Sequence, residues 1–157
     1  MSETVELAEK LKLEGGKLSG FFAELTDGQW RTEVYTEGSV WTIRNILAHL
    51  VTSERAFVQL FERIRQTGEG VPEDFSIDRY NARQQEKTAE LTPQELLDQF
   101  KAVRADMIQW VLGIGDSDLE KTGRHPFLGV TTLREMIKMI YIHNQLHARD
   151  LRRALKD

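Results

Sequence analysis

Two histidines stand four residues apart in His143-Asn144-Gln145-Leu146-His147. On a helix, that spacing sets both imidazoles one turn apart on the same face. Both rings can then reach one divalent ion at about 2.0–2.1 Å. Leu133, Met136 and Ile140 repeat with the helical period just upstream, and both histidines fall within the stripe they define. Two unpaired imidazoles buried there would leave ring nitrogens unsatisfied, at about 1–3 kcal/mol each. A shared metal removes that penalty. A third ligand is expected from His49, at the edge of an earlier apolar stripe near Ser53, Ala56 and Leu60. Three protein ligands leave a position open for water or substrate, as in catalytic rather than structural zinc. The competing reading is that the histidines pack or face solvent, and spacing alone does not decide between the two.

Other polar residues fall where apolar ones are expected. Glu54 lies near the centre of its helix's stripe, and Asp150 follows His147 by three residues on the same side. Metal-bound histidines donate their second ring N–H to a carboxylate or carbonyl, so both acids are candidates for that support. For Glu54 the alternative is a buried pair with an arginine. His125 precedes a proline and reads as a plain loop residue. Trp41, Trp110, Met136 and Met139 read as core. No residue stands out as a general base, so catalytic residues stay unassigned. The chain has no cysteine, which excludes disulfides, thiolate ligands and a cysteine nucleophile. Any thiol chemistry must use a thiol brought from outside.

The elements that must position these residues are helical. A first helix spans about 4–26, with a local irregularity expected at Gly15-Gly16. Residues 28–41 form a connection. Thr42 caps a second helix at about 43–66, followed by a polar, helix-permissive stretch at 77–91. Thr92-Pro93-Gln94-Glu95 and Thr132-Leu133-Arg134-Glu135 are capping boxes. They open helices ending near 112 and 155, separated by a loop at 116–131. No strand alternation is evident. The expectation is an all-α, single-domain four-helix bundle over the 157 residues. A net charge of −4 gives no general attraction to nucleic acid or anionic lipid. No apolar run approaches the ~20 residues of a membrane helix. The acidic N-terminal residues lack a signal-peptide pattern, so a cytoplasmic location is expected.

Trp41-Thr42-Ile43-Arg44-Asn45-Ile46-Leu47-Ala48-His49-Leu50, then Thr132-Leu133-Arg134-Glu135-Met136-Ile137 and His143-x-x-x-His147, resemble the DinB-like superfamily. The stretch around Asp78-Arg79-Tyr80-Asn81 is similar to the family's segment between its second and third helices. The resemblance covers nearly the whole chain. It implies an up-down-down-up bundle order with a long crossover, for which residues 67–92 are available, and a homodimer. It also implies a divalent metal, commonly nickel or zinc, on three histidines, which here are His49, His143 and His147. Related activities include bacillithiol S-transfer, mycothiol-dependent maleylpyruvate isomerisation and metal-dependent hydrolysis.

Two enzyme readings share this site. One is a transferase in which a low-molecular-weight thiol is deprotonated and attacks an electrophilic small molecule, with Asn81 as a ligand contact at the mouth. The other is a hydrolase using activated water. A non-catalytic module that binds metal or a small ligand in a stress response is the third.

Overall fold

A computed structural model describes residues 2–156. Four long helices carry the chain: α1 (Glu3–Ala23), α3 (Ile43–Thr67), α5 (Pro93–Gly113) and α6 (Leu133–Lys156). Shorter elements fill the connections. They are α2 (Asp27–Trp30), β1 (Glu33–Tyr35), β2 (Trp41–Thr42), α4 (Ile77–Lys87), a 3-10 turn (Asp116–Glu120), β3 (Thr122–His125) and β4 (Gly129–Thr132).

The long helices begin where side chains satisfy their free N–H groups. Thr42 accepts from Asn45 N–H while Asn45 Oδ1 accepts from Thr42 N–H. Thr92 and Glu95 do the same for α5, and Thr132 accepts from Glu135 N–H at the start of α6.

Their directions follow from end-to-end contacts. The first turn of α1 bonds Asp116, just past the end of α5, so these two are antiparallel. Arg134 at the start of α6 pairs with Glu3 at the start of α1, so these run together. Arg44, in the first turn of α3, donates to Leu91 O at 2.7 Å immediately before α5, so α3 and α5 are parallel. The bundle is therefore up-down-down-up. A parallel α3–α5 pair requires the chain to travel back along the bundle. The 68–92 crossover does so, with α4 held to α3 by reciprocal Asn45–Gln85 hydrogen bonds of 2.9 and 2.8 Å.

Two apolar clusters fill the bundle. One gathers Leu18, Phe22, Ile46, Leu47, Leu50, Phe100 and Leu151. The other gathers Leu11, Phe61, Ile64, Met107, Leu133 and Ile137. Each fully buried side chain of this size contributes about 1.5–3 kcal/mol. Between the clusters lies a polar layer of Glu54, Arg104 and Asn144.

Three expectations are corrected. Gly15-Gly16 does not interrupt α1, which is continuous to Ala23. Gly15 instead admits Arg104, whose Nη1 would lie 2.7 Å from a Cβ there. The first helix stops short of residue 26 because Thr26 caps the separate turn α2 with Gln29. The connections contain two antiparallel strand pairs, β1–β2 and β3–β4. The α3–α4 connection lies along β3, with Val71 N–H bonded to Arg124 O at 3.0 Å. A Cβ on Gly70 would sit 2.1 Å from that same carbonyl oxygen.

Candidate metal centre

His49 stands in the second turn of α3, and His143 and His147 lie two-fifths of the way along α6 and one turn further. Because α3 and α6 run antiparallel, the early turns of one meet the later turns of the other. The three rings converge through the same atom. His143 Nε2 is 3.4 Å from His49 Nε2 and 2.8 Å from His147 Nε2. One nitrogen from each residue lies within 4.8 Å of the others, so the group could hold a metal ion. Ligands at about 2.0–2.1 Å are separated by about 3.4 Å at a tetrahedral angle and about 2.9 Å at a right angle. Both observed separations fit that range.

The opposite ring edges say which nitrogens carry protons. Tyr35 on β1 donates its only hydroxyl proton to Asp150 Oδ2, at 2.6 Å. Its oxygen lies 2.9 Å from His147 Nδ1, so His147 must be the donor there and keeps its lone pair on Nε2. His49 Nδ1 is bonded to Ser53 Oγ at 3.2 Å, a hydroxyl that can accept from Nδ1–H and so match a ring with its lone pair on Nε2. Burial pushes His49 down to about 3, helped by the charge of His147 and opposed by a polar contact with Asn81. Burial, then the neighbouring histidines, lowers His143 to about 3. Burial lowers His147 to about 4, against the attraction of Asp150. All three rings are neutral at pH 7, the state in which imidazole ligates.

The supporting acids divide. Asp150 reaches His147 through Tyr35 rather than directly. Tyr35 was missed because it lies 112 residues from its partner in sequence. Glu54 is corrected: its carboxylate takes a two-pronged bond from Arg104, at 2.7 and 2.8 Å, and makes no hydrogen bond to a histidine ring. The buried-arginine alternative is the one found. His125 is corrected too. It closes strand β3, is 2% exposed and stacks on Phe57 at 5.1 Å.

A mostly apolar cavity of about 190 Å³ opens beside His49. Phe57 and Leu60 of α3, Tyr80 and Asn81 of α4, and Phe127 from the β3–β4 turn wall it. The crossover thus supplies one side of the cavity and the hairpin another. Asn81 lies in this lining. No carboxylate lines the cavity.

The DinB superfamily profile matches residues 10–151, and the chain belongs to that superfamily. Comparison with the curated proteins finds no match. Among solved structures, YfiT from Bacillus subtilis is described as a probable metal-dependent hydrolase with an unusual four-helix bundle topology. It is 17% identical with a TM-score of 0.80, over 99% of this chain and 89% of that one. A mycothiol-dependent maleylpyruvate isomerase is 16% identical with a TM-score of 0.77. The match takes in 94% of this chain but only 60% of the isomerase. The colibactin self-resistance protein ClbS, solved in complex with double-stranded DNA, is 14% identical with a TM-score of 0.72, over 99% of this chain and 95% of that one. At these identities the likeness establishes the fold. Among the described residues, no helix is long and apolar enough to cross a membrane.

Proposed function

We propose that His49, His143 and His147 hold one divalent ion, nickel or zinc, and that the protein transfers a low-molecular-weight thiol onto an apolar electrophile. The observation that carries this reading is the convergence of three Nε2 atoms, with His49 also lining an apolar cavity that contains no carboxylate. A bound divalent ion would supply acidity, lowering the pKa of water or a thiol at its open position.

The chain's own groups do the rest. The Tyr35–Asp150 pair holds the His147 ring with its lone pair inward, and Ser53 steadies the His49 ring through Nδ1. Phe57, Leu60 and Phe127 exclude water from the cavity and favour an apolar substrate. Asn81 contacts the ligand at the mouth. Hydrolysis of a stable bond would call for a base to take a second proton. The lining offers none, which favours the thiol over water as nucleophile. A small molecule also suits the net charge of −4 better than nucleic acid does. A homodimer belongs to the same reading: Ile142 and Leu146, one turn apart on α6, are 41% and 42% exposed, and sedimentation measures it.

Metal content by mass spectrometry, on protein purified without a tag or added metal, tests the centre. One equivalent in the parent and none in the His143→Ala/His147→Ala variant is the expected result. An empty parent that refuses added zinc and nickel removes the centre and the activity with it. Electrophile turnover with and without added thiol then separates the two chemistries, and activity indifferent to thiol would replace the transferase with a hydrolase.

A further inference from the structure

His125 carries a polar atom that nothing in the fold uses. Its Nδ1 accepts from two backbone N–H groups, Phe127 at 3.0 Å and Leu128 at 3.2 Å. An atom that accepts twice carries no proton, so the proton of the neutral ring sits on Nε2. That Nε2–H is buried and is the one buried side-chain polar atom without a hydrogen-bond partner among the described residues. Leaving such a donor unmet opposes folding, because the group gives up its bond to water and gains none in return. The ring cannot rotate to find another partner. It is stacked on Phe57 with an interplanar angle of 10° and tied to the turn by its other nitrogen.

The surroundings of that ring are not solid. A cavity of about 10 Å³ lies among Phe57, His125, Phe127, Met139, Ile140 and His143. That is room for about one oxygen atom. Phe57 and Phe127 also wall the 190 Å³ cavity. Phe127 therefore stands between the two spaces, with its ring 5.8 Å from that of His143. It sits in the β3–β4 turn and is 46% exposed whereas Phe57 is 8% exposed, so of the two shared walls Phe127 is the one with room to turn aside.

We propose that the Nε2–H of His125 is the polar anchor of the ligand cavity, receiving a carbonyl or other hydrogen-bond-accepting oxygen of an otherwise apolar ligand beside His143. This inference rests on reading the large cavity as the ligand site. It narrows the ligand class: an apolar body with one acceptor oxygen fits, whereas a cation or a molecule offering only donors finds no acceptor at this end. It also gives the β3–β4 hairpin a role, since the hairpin carries both the donor and the movable wall.

The probes are acetophenone and ethylbenzene, alike in size and differing in the acceptor oxygen. They are titrated by NMR into protein labelled with ¹⁵N-histidine, both metal-free and zinc-loaded. Acetophenone should bind at least fivefold tighter and should shift the His125 Nε2–H resonance, which ethylbenzene leaves in place. His125→Asn keeps an acceptor for the two turn N–H groups but leaves its own amide N–H too short to reach the position of Nε2, so it should erase the preference while the turn's amide resonances persist. His125→Gln restores an N–H at similar reach and should recover part of the preference. Equal affinities would overturn the proposal. So would an unmoved His125 resonance, a preference that survives His125→Asn, or failure of both probes to bind. A preference in metal-free protein stands even if the metal reading fails. A zinc-loaded protein without preference loses the anchor alone.

Discussion

Two polar clusters occupy the middle of this bundle, built from neighbouring positions on the same two helices. Glu54 and Asn144 belong to one, and His49 and His143 belong to the other. In the first, Arg104 donates to both oxygens of Glu54, to Asn144 Oδ1 and to Leu11 O. Every buried donor and acceptor there has a partner within the chain. In the second, three ring nitrogens face one another across 2.8 and 3.4 Å. The first cluster is closed and holds four helices in register. The second is made of three imidazoles that could hold an ion from outside. Adjacent residues on α6 thus serve opposite ends, and a buried polar group announces a site only when its partners are missing.

The closed cluster should produce the largest loss. Arg104→Ala leaves Glu54 and Asn144 without their donor in the core, and breaking a buried pair from one side costs about 3–5 kcal/mol. For a domain of this size that lowers Tm by about 10–15 °C. The Glu54→Leu/Arg104→Met pair, which removes both charges and keeps the volume, should cost far less. Calorimetry of the two variants measures the gap. If they melt together, the cluster is not a charge network but a packing site.

The open cluster should show itself through pH. Burial lowers His125 to about 4, His147 to about 4, and His49 and His143 to about 3. A histidine lowered in the fold from 6.5 stays neutral while the unfolded chain takes up a proton. Its contribution is present above pH 6.5 and is lost as pH falls toward the folded value. Between pH 6.5 and 5 each such ring costs about 2 kcal/mol. Metal-free protein, unfolded by urea at pH 7 and pH 5, should be markedly weaker at pH 5. His125→Asn should reduce that difference by one ring's share. A stability independent of pH over this range would mean that the rings are solvated.

The two neighbouring glycines of α1 sharpen the same contrast at a smaller scale. A Cβ at Gly15 meets Arg104, whereas one at Gly16 meets nothing within 4 Å. Gly15→Ala should destabilise by about 1–3 kcal/mol through overpacking, and Gly16→Ala should stabilise by about 0.5–1 kcal/mol through helix propensity. Equal effects would show that Arg104 shifts freely.

Much of this was legible in the sequence because long amphipathic helices with good caps advertise themselves. The stripes placed His143, His147 and Glu54 toward the interior, and the capping residues Thr42, Thr92 and Thr132 marked helix starts. The strands were illegible because β1 to β4 are two to four residues long, too short for alternation to show. Arg104 could have been found: it lies four residues after Phe100 and three before Met107, a charge inside an apolar stripe. His125 could not, since its burial comes from a hairpin folded against Phe57.

The smallest effect on folding should come with a large one on the site. Tyr35→Phe removes a hydroxyl that orients His147 and leaves an aromatic ring in place. The ring is partly exposed, so stability should change by no more than about 1 kcal/mol. Without the hydroxyl, His147 Nδ1–H loses its acceptor, and Asp150, which follows through that oxygen, no longer acts on the ring. The tautomer that presents Nε2 to the other histidines is then held only by the metal itself. Loss of such support weakens metal affinity about 10–100-fold. A competition titration against a zinc chelator reads this directly, with Glu54→Gln as the control on the closed cluster. If Tyr35→Phe binds zinc as the parent does while Glu54→Gln does not, the roles of the two clusters are reversed, and orientation reaches the histidines through α6 from Arg104 and Asn144 rather than from β1.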